Sequence, residues 1–538
     1  MRMIHFAGGK VPFGTASRES VLLSSCNAGE APRSFDNKMT TRLSRFNRVS
    51  IAVAAAMLLA SCAASLNWRY EHDSPLMVYT GWLIEQGMVP YRDFFDMNLP
   101  GTYFVMWAMG TVFGWNDLGF RIFDLLCLAS IGFSTYLWMR RIGKLSAFTA
   151  AAAFSIWYLS HGPVMSLQRE YLALVPFVWM LAIATGGIRF RHILPYLSVG
   201  FLTASTILIK PQFLLLCLPL LVIQGAEGGK TMAVRYRVAS LTAGVSIPLV
   251  AAFCYLLWTG SLRPFLDFAL NYWPLYTHMS GSHQPIGGLA RLSYVLSSTR
   301  VGLDTFLLPM AVTGLCILRG IERQKRLSWL LFSLLAAGAL YPAAAGQFWT
   351  YHWIPFSYIA LCSASFTVSR LSPENRGSRN YAPLAVVFLL WLLSFYPGVW
   401  TNGNAGDTRL KAGVPDDVHN FLSSRIKPGD SVQPLDWTGG AVHGMLMSRA
   451  PLATRFMYDF HFYHHVGDPY IRALRREFIN ELGSKRPRFI IEVLQNKPSP
   501  AGPDTSGEFP ELRSFLEKHY KAVRESSNYR IFERVPDY

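Results

Sequence analysis

The stretch 71–103 reads EHDSPLMVYTGWLIEQGMVPYRDFFDMNLPGTY and gathers Asp73, Asp93 and Asp96 with Glu71, Glu85 and several aromatic residues. A carboxylate of this kind can act as a general base, accept a hydrogen bond from a ligand or hold a divalent ion. Three later polar spots stand out against apolar surroundings: Gln168-Arg169-Glu170, Lys210-Pro211 and Tyr351-His352. Lys210 ends the run STILIKPQFLLL with no acid near it in sequence. An ammonium there either snorkels to an interface or binds a lipid phosphate. His352 suits an interfacial aromatic belt as well as a site, and Asp93 has Arg92 beside it as a local partner. Charges against a bilayer are costly, so several of them converging from separate loops mark a site.

The elements that carry these residues are apolar. Of 538 residues, 51% are hydrophobic and only 15% charged, and many runs approach the length of a bilayer crossing. The fold class expected is a polytopic α-helical membrane protein. A formal charge of +17 would suggest nucleic acid in a soluble chain. Here the basic residues fall in short clusters between apolar runs, which is the positive-inside pattern, and nucleic acid is excluded as a partner. Cys26 lies near the start and the other six cysteines fall in apolar segments, so no disulfide supports the hydrophilic C-terminal region. No cysteine spacing resembles a metal motif.

Three regions follow. Residues 1–48 are polar, read as a disordered cytoplasmic tail. Residues 49–400 form the transmembrane region, with a first outer loop at 67–117. Eleven crossings are expected: 49–66, 118–139, 145–160, 171–186, 193–209, 213–224, 238–259, 301–318, 327–345, 353–368 and 383–399. Segment 101–113 is read as lying along the interface, because a crossing there would reverse every later basic cluster. The first apolar run also carries Leu59-Ala60-Ser61-Cys62, a lipoprotein-like signal, with Met39 as an alternative start. Segment 260–299 is read as a long outer loop. Residues 401–538 read as an extracytoplasmic α/β domain, with helices at 416–424, 470–482 and 509–520 and strands at 431–435, 488–494 and 529–535. The protein is expected to be a multi-pass protein of the plasma (inner) membrane.

An early Asp73, then Gly87-Met88-Val89-Pro90-Tyr91-Arg92-Asp93 and Asn98-Leu99-Pro100, resembles the first outer loop of the GT-C superfamily of membrane glycosyltransferases. The nearer likeness is to the branch of protein mannosyltransferases and aminoarabinose transferases. Lys210-Pro211 is similar to that branch's lysine at a later outer turn, and Tyr351-His352-Trp353-Ile354-Pro355 to its HY-x-x-P-like element. Ser74 departs from the glutamate common there, and Asn98-Leu99 from its Lys-Pro. The resemblance implies a polyprenyl-phosphate-linked sugar donor, inversion at the anomeric carbon, and a glycan, lipid or protein acceptor at the outer face. Asp73 would then be the general base, and Lys210 with Arg169 would balance charge on the departing lipid phosphate. Asp93, Asp96, Glu170 and His352 would bind substrate, and Asp93, Asp96 or Glu170 are the candidates for holding a divalent ion. No cofactor is otherwise implied.

A transporter or flippase of a lipid-linked saccharide is the alternative. It predicts intramembrane charges and inverted repeats, whereas the charged residues lie at segment ends and no repeat is evident. A structural scaffold for an envelope complex would leave the outer polar residues unexplained.

Overall fold

The computed structural model describes residues 52, 54–188, 190, 192–226, 233–303, 305–371, 382–403, 410–495 and 502–536. The expected tail 1–48 lies outside the described residues. The first part of the chain is helical: α1 (Ala54–Asn67), α2 (Ser74–Glu85), α3 (Pro100–Phe113), α4 (Asp117–Met139), α5 (Lys144–Ser160), α6 (Arg169–Ala184), α7 (Leu194–Ile209), α8 (Leu214–Ala226) and α9 (Val234–Trp258). Next come α10 (Leu262–Asp267), α11 (Trp273–Thr277), α12 (Gly288–Gly302), α13 (Leu307–Arg319), α14 (Lys325–Ala345), α15 (Ile354–Ala364), α16 (Ala382–Leu393) and α17 (Tyr396–Gly403).

By length and composition three of these helices can cross a membrane alone: α4, α9 and α14, the last with the short turn before it. The bent pair α12–α13, angled at 69°, makes a fourth at most. The remaining apolar helices are shorter, so eleven crossings are more than this criterion establishes. Helix α9 leaves Ile247, Leu249, Val250, Phe253 and Leu257 exposed along its length. Apolar surface of that extent on a helix whose backbone bonds are internally satisfied suits a lipid environment. By contrast α15 is buried at every residue and runs through the helical core.

Close packing sets the helix ends. A Cβ on Gly200 would stand 2.2 Å from the Leu241 carbonyl, and one on Gly244 2.2 Å from that of Leu197, so α7 and α9 cross backbone against backbone. A Cβ on Gly101 would stand 2.6 Å from the Leu208 carbonyl. That contact, with the Thr102 hydroxyl donating to the Ile209 carbonyl at 3.2 Å, ties the start of α3 to the turn that carries Lys210.

Segment 260–299 departs from the long loop expected. It folds into α10, a π-helical turn (Phe268–Tyr272), α11 and α12. Its aromatic residues drive this: Phe268 and Tyr272 are buried, and both pack on Phe95 of the first loop at 5.3 and 5.4 Å between ring centroids.

The C-terminal part holds α18 (Val414–Ser423), β1 (Val432–Leu435), α19 (Ala441–Ser448), α20 (Pro469–Lys485), β2 (Phe489–Val493), α21 (Pro510–His519), β3 (Tyr520–Glu525) and β4 (Tyr529–Arg534). The four strands lie in the order β1-β2-β4-β3, with β1 and β2 parallel and the other pairs antiparallel. Central β2 is buried at every position, and Glu492, its one charged residue, pairs with Arg513 and Arg530. β3 was not legible beforehand because it is an edge strand exposed after Tyr520, with charged residues in place of an apolar face. The first loop docks here: the Phe95 amide donates to the Arg455 carbonyl at 2.7 Å.

Candidate functional site

Asp73 occupies the N-cap position of α2, with Pro75 in the first turn, yet its side chain makes no capping bond. The preceding His72 has φ of 52°, a left-handed conformation that turns the chain sharply into the helix. The Asp73 carboxylate has other partners. Its Oδ1 stands 2.9 Å from the His72 Nδ1, and its Oδ2 4.0 Å from the Arg169 guanidinium. Burial alone would raise the Asp73 carboxyl, but His72 and then Arg169 outweigh it and hold it below the usual carboxylate range. His72 moves the opposite way. Burial would lower it, and the Asp73 charge raises it above the ordinary imidazole value.

Arg169 and Glu170 open α6, after the short turn Pro163–Met165. Lys210 caps the end of α7 in an extended conformation, and Pro211 follows at once and prevents the helix from continuing. His352 sits in the turn Thr350–Trp353 between α14 and α15; α14 ends at Gly346, whose φ of 94° demands glycine. These helix ends meet around Glu170. Its Oε1 lies 2.9 Å from the Lys210 Nζ and 3.6 Å from the His352 Nε2, and it accepts from the Tyr341 hydroxyl at 3.3 Å. Glu170 is fully buried, so pairing with Lys210 offsets the cost of a carboxylate there. Burial, with the Arg169 charge added, pushes the Lys210 ammonium down to about 8. Burial pushes the His352 imidazole down to about 3, which leaves it neutral near neutral pH.

Two cavities share a wall. The larger, about 190 Å³, is lined by Lys210, Gln212, His352, Arg169, Asn98 and Tyr276 among others. The smaller, about 30 Å³, is lined by Asp73, Asp96, Arg169, Asn98, Trp437 and Tyr458 among others. Arg169 and Asn98 belong to both, and Arg169 donates to the Asn98 Oδ1 at 2.6 Å. A carboxylate able to accept a proton thus stands on one side of a guanidinium, with a buried ammonium on the other. The Nε of Arg169 and the Oε1 of Gln212 have no hydrogen-bond partner among the described residues.

Of the residues singled out by sequence, Asp73, Asp96, Arg169, Glu170, Lys210 and His352 come together around these cavities. Asp96 is 5% exposed, accepts from Asn98 at 2.7 Å and from the Tyr458 hydroxyl at 3.1 Å, and is pushed up by its burial. Asp93 does not join them. It pairs with Arg92 at 2.7 Å and accepts from the Val89 amide at 2.8 Å, fastening the loop turn. Among the described residues no three His, Cys, Asp or Glu side chains are grouped to hold a metal ion. His72, Tyr276, Trp437 and Tyr458 escaped the sequence reading. His72 is adjacent to Asp73, and that was the available signal for it. The others reach the site across the tertiary fold and left no local pattern.

The fold is similar to those of solved transferase structures. Two of the solved structures it resembles are those of ArnT from Cupriavidus metallidurans, an aminoarabinose transferase. Against ArnT bound to undecaprenyl phosphate the identity is 13%, with 90% of this chain and 98% of that chain covered at a TM-score of 0.56. The apo form gives 13%, 91%, 98% and 0.56. The arabinofuranosyltransferase AftD from Mycobacteria gives 12% identity and a TM-score of 0.53 over 91% of this chain and 40% of that one. No family model and no curated protein matches the chain.

Proposed function

We propose that this protein is an inverting glycosyltransferase of the plasma (inner) membrane, moving a sugar from a polyprenyl-phosphate donor to a glycan, lipid or protein acceptor at the outer face. The observation that carries this reading is the pairing of the Asp73 and Lys210 cavities across Arg169 and Asn98. Undecaprenyl phosphate bound to ArnT, which has the same fold, supports a polyprenyl donor here. The eleven-span topology, the catalytic outer loop at 67–117 and an extracytoplasmic domain over 401–538 belong to the same proposal.

In this mechanism the acceptor hydroxyl lies against Asp73 and the donor phosphate against Lys210 and Arg169. The acceptor oxygen attacks C1 and gives its proton to an Asp73 oxygen. The bond from C1 to the phosphate oxygen breaks, and the electron pair leaves with polyprenyl phosphate. Asp73 supplies general-base catalysis, and the two cations stabilise charge developing on the phosphate. Glu170 positions Lys210. Asp96 and Asn98 orient the sugar, and the neutral His352 contributes ring nitrogens to the donor side. Asp93 keeps the loop turn that presents Asp96.

The test is transfer in membranes from a labelled polyprenyl-phosphate sugar, together with glycan analysis of a deletion strain. Loss of one envelope sugar on deletion, restored by wild type and not by Asp73→Asn, is the expected result. An unchanged envelope glycan would overturn the reading.

A further inference from the structure

A third cavity, of about 160 Å³, opens in the C-terminal part at the carboxyl ends of the parallel strands β1 and β2. In sheets with parallel strands, crevices outside those ends are where ligands bind. Its volume is several times the roughly 30 Å³ share of one water molecule. Trp437 follows β1 and lines this cavity as well as the Asp73 cavity, so the two are neighbours.

The lining has a definite chemistry. Trp437 is half-buried, and Phe460 stacks on it at 4.5 Å and 27° while packing against His464 at 4.5 Å. His464, only 2% exposed, also lines the cavity. Its Nδ1 donates to the Phe460 carbonyl at 3.1 Å, and its Nε2 has no hydrogen-bond partner among the described residues. Burial lowers the His464 imidazole, which favours the neutral ring. With the proton held on Nδ1, Nε2 is a bare acceptor. Glu492 adds a carboxylate, held by Arg513 at 2.6 Å. An aromatic wall beside fixed acceptors suits a ring that offers C–H groups on one side and hydroxyl donors at its edge.

We propose that this crevice is a saccharide subsite, in which a sugar ring of the acceptor lies against the aromatic wall formed by Trp437 and Phe460 and a ring hydroxyl donates to the Nε2 of His464. The acceptor assignment rests on the glycosyltransferase reading; saccharide binding itself does not.

The test uses the full chain in detergent micelles with no donor present. The probes are methyl glycosides of hexoses, N-acetylhexosamines and pentoses, followed by saturation-transfer NMR. At least one probe should bind wild type. His464→Leu should weaken it by up to about ten-fold, as for one lost hydrogen bond, and Asp73→Asn should leave it unchanged. Gly507→Trp, at an exposed position on the cavity wall, should block binding without disturbing the fold, which thermal unfolding checks. It decides the matter should His464→Leu fail to fold. No bound probe, or wild-type binding by Gly507→Trp, overturns the proposal, as does binding lost in Asp73→Asn and kept in His464→Leu. Bound saccharide with normal transfer by Asp73→Asn would sink the catalytic reading and leave the subsite standing.

Discussion

Arg169 stands 4.0 Å from the Oδ2 of Asp73 while its other terminal nitrogen donates to Asn98 at 2.6 Å. One guanidinium therefore touches the proposed base and helps line the cavity that holds Lys210. Acceptor activation and phosphate stabilisation would be coupled through a single side chain, close to a buried ammonium.

Asp73→Asn should reduce transfer by roughly 10²–10⁴-fold, the size of a general-base contribution, and leave donor binding nearly intact. Asn keeps the shape and cannot take the proton. Parallel measurements of transfer and of polyprenyl phosphate binding check this, and near-normal transfer would remove Asp73 from the mechanism.

His72→Ala should introduce an acid limb into the transfer profile. In the native protein His72 and Arg169 hold the Asp73 carboxyl below the usual range, so it stays ionised through mildly acidic pH. Without His72 its pKa rises, and activity should fall at a higher pH than in wild type. Profiles of the two proteins that superimpose would rule out this coupling.

Lys210→Ala should weaken polyprenyl phosphate binding by roughly ten- to hundred-fold, as expected for losing a charge-assisted bond. Wild-type binding should also weaken as pH rises through about 8, where the Lys210 ammonium loses its proton. Folding has the opposite sign: with the folded pKa lowered, the unfolded chain binds more protons above about 8, so this group's contribution to stability rises there. Binding titrations across pH read the first effect; an alkaline limb retained in Lys210→Ala would assign it to another group.

Asp93→Asn and Asp96→Asn should differ. Asp93 is spent on Arg92 and the Val89 amide, away from the cavities, and its variant should transfer within a few-fold of wild type. Asp96 accepts two buried hydrogen bonds, so its variant should lower stability by about 1–3 kcal/mol and disturb Asn98. Thermal unfolding and transfer rates on both variants separate them; equal effects would contradict this division.

A reporter active only outside the cytoplasm should work when fused after Tyr538, and cysteines placed at Trp115 and Asn116 should react with an impermeant reagent from outside. The motive is the one-sided distribution of basic clusters. Labelling only from the cytoplasmic face would reverse the proposed loops.

The sequence by itself determined the class of the molecule and several of the site's groups. Apolar runs recur at helical length, and that signal is local, so α4 to α8, α14 and α15 were readable almost to their ends, whereas the expected span 301–318 ran across the bend between α12 and α13. Lys210 and His352 were conspicuous because a charged or titratable group bordering an apolar run requires a partner. What that partner is was decided only by tertiary structure: Glu170 receives Lys210 and faces His352 because the ends of α6, α7 and α14 converge. The same holds for the difference between Asp93 and Asp96. Both are acids in one loop, but Phe95 between them docks against Arg455 and Phe456, and Asp96 is buried beside Tyr458 while Asp93 stays with Arg92. Helix periodicity is written in neighbouring residues, whereas the burial of a loop carboxylate depends on what packs over it from hundreds of residues away.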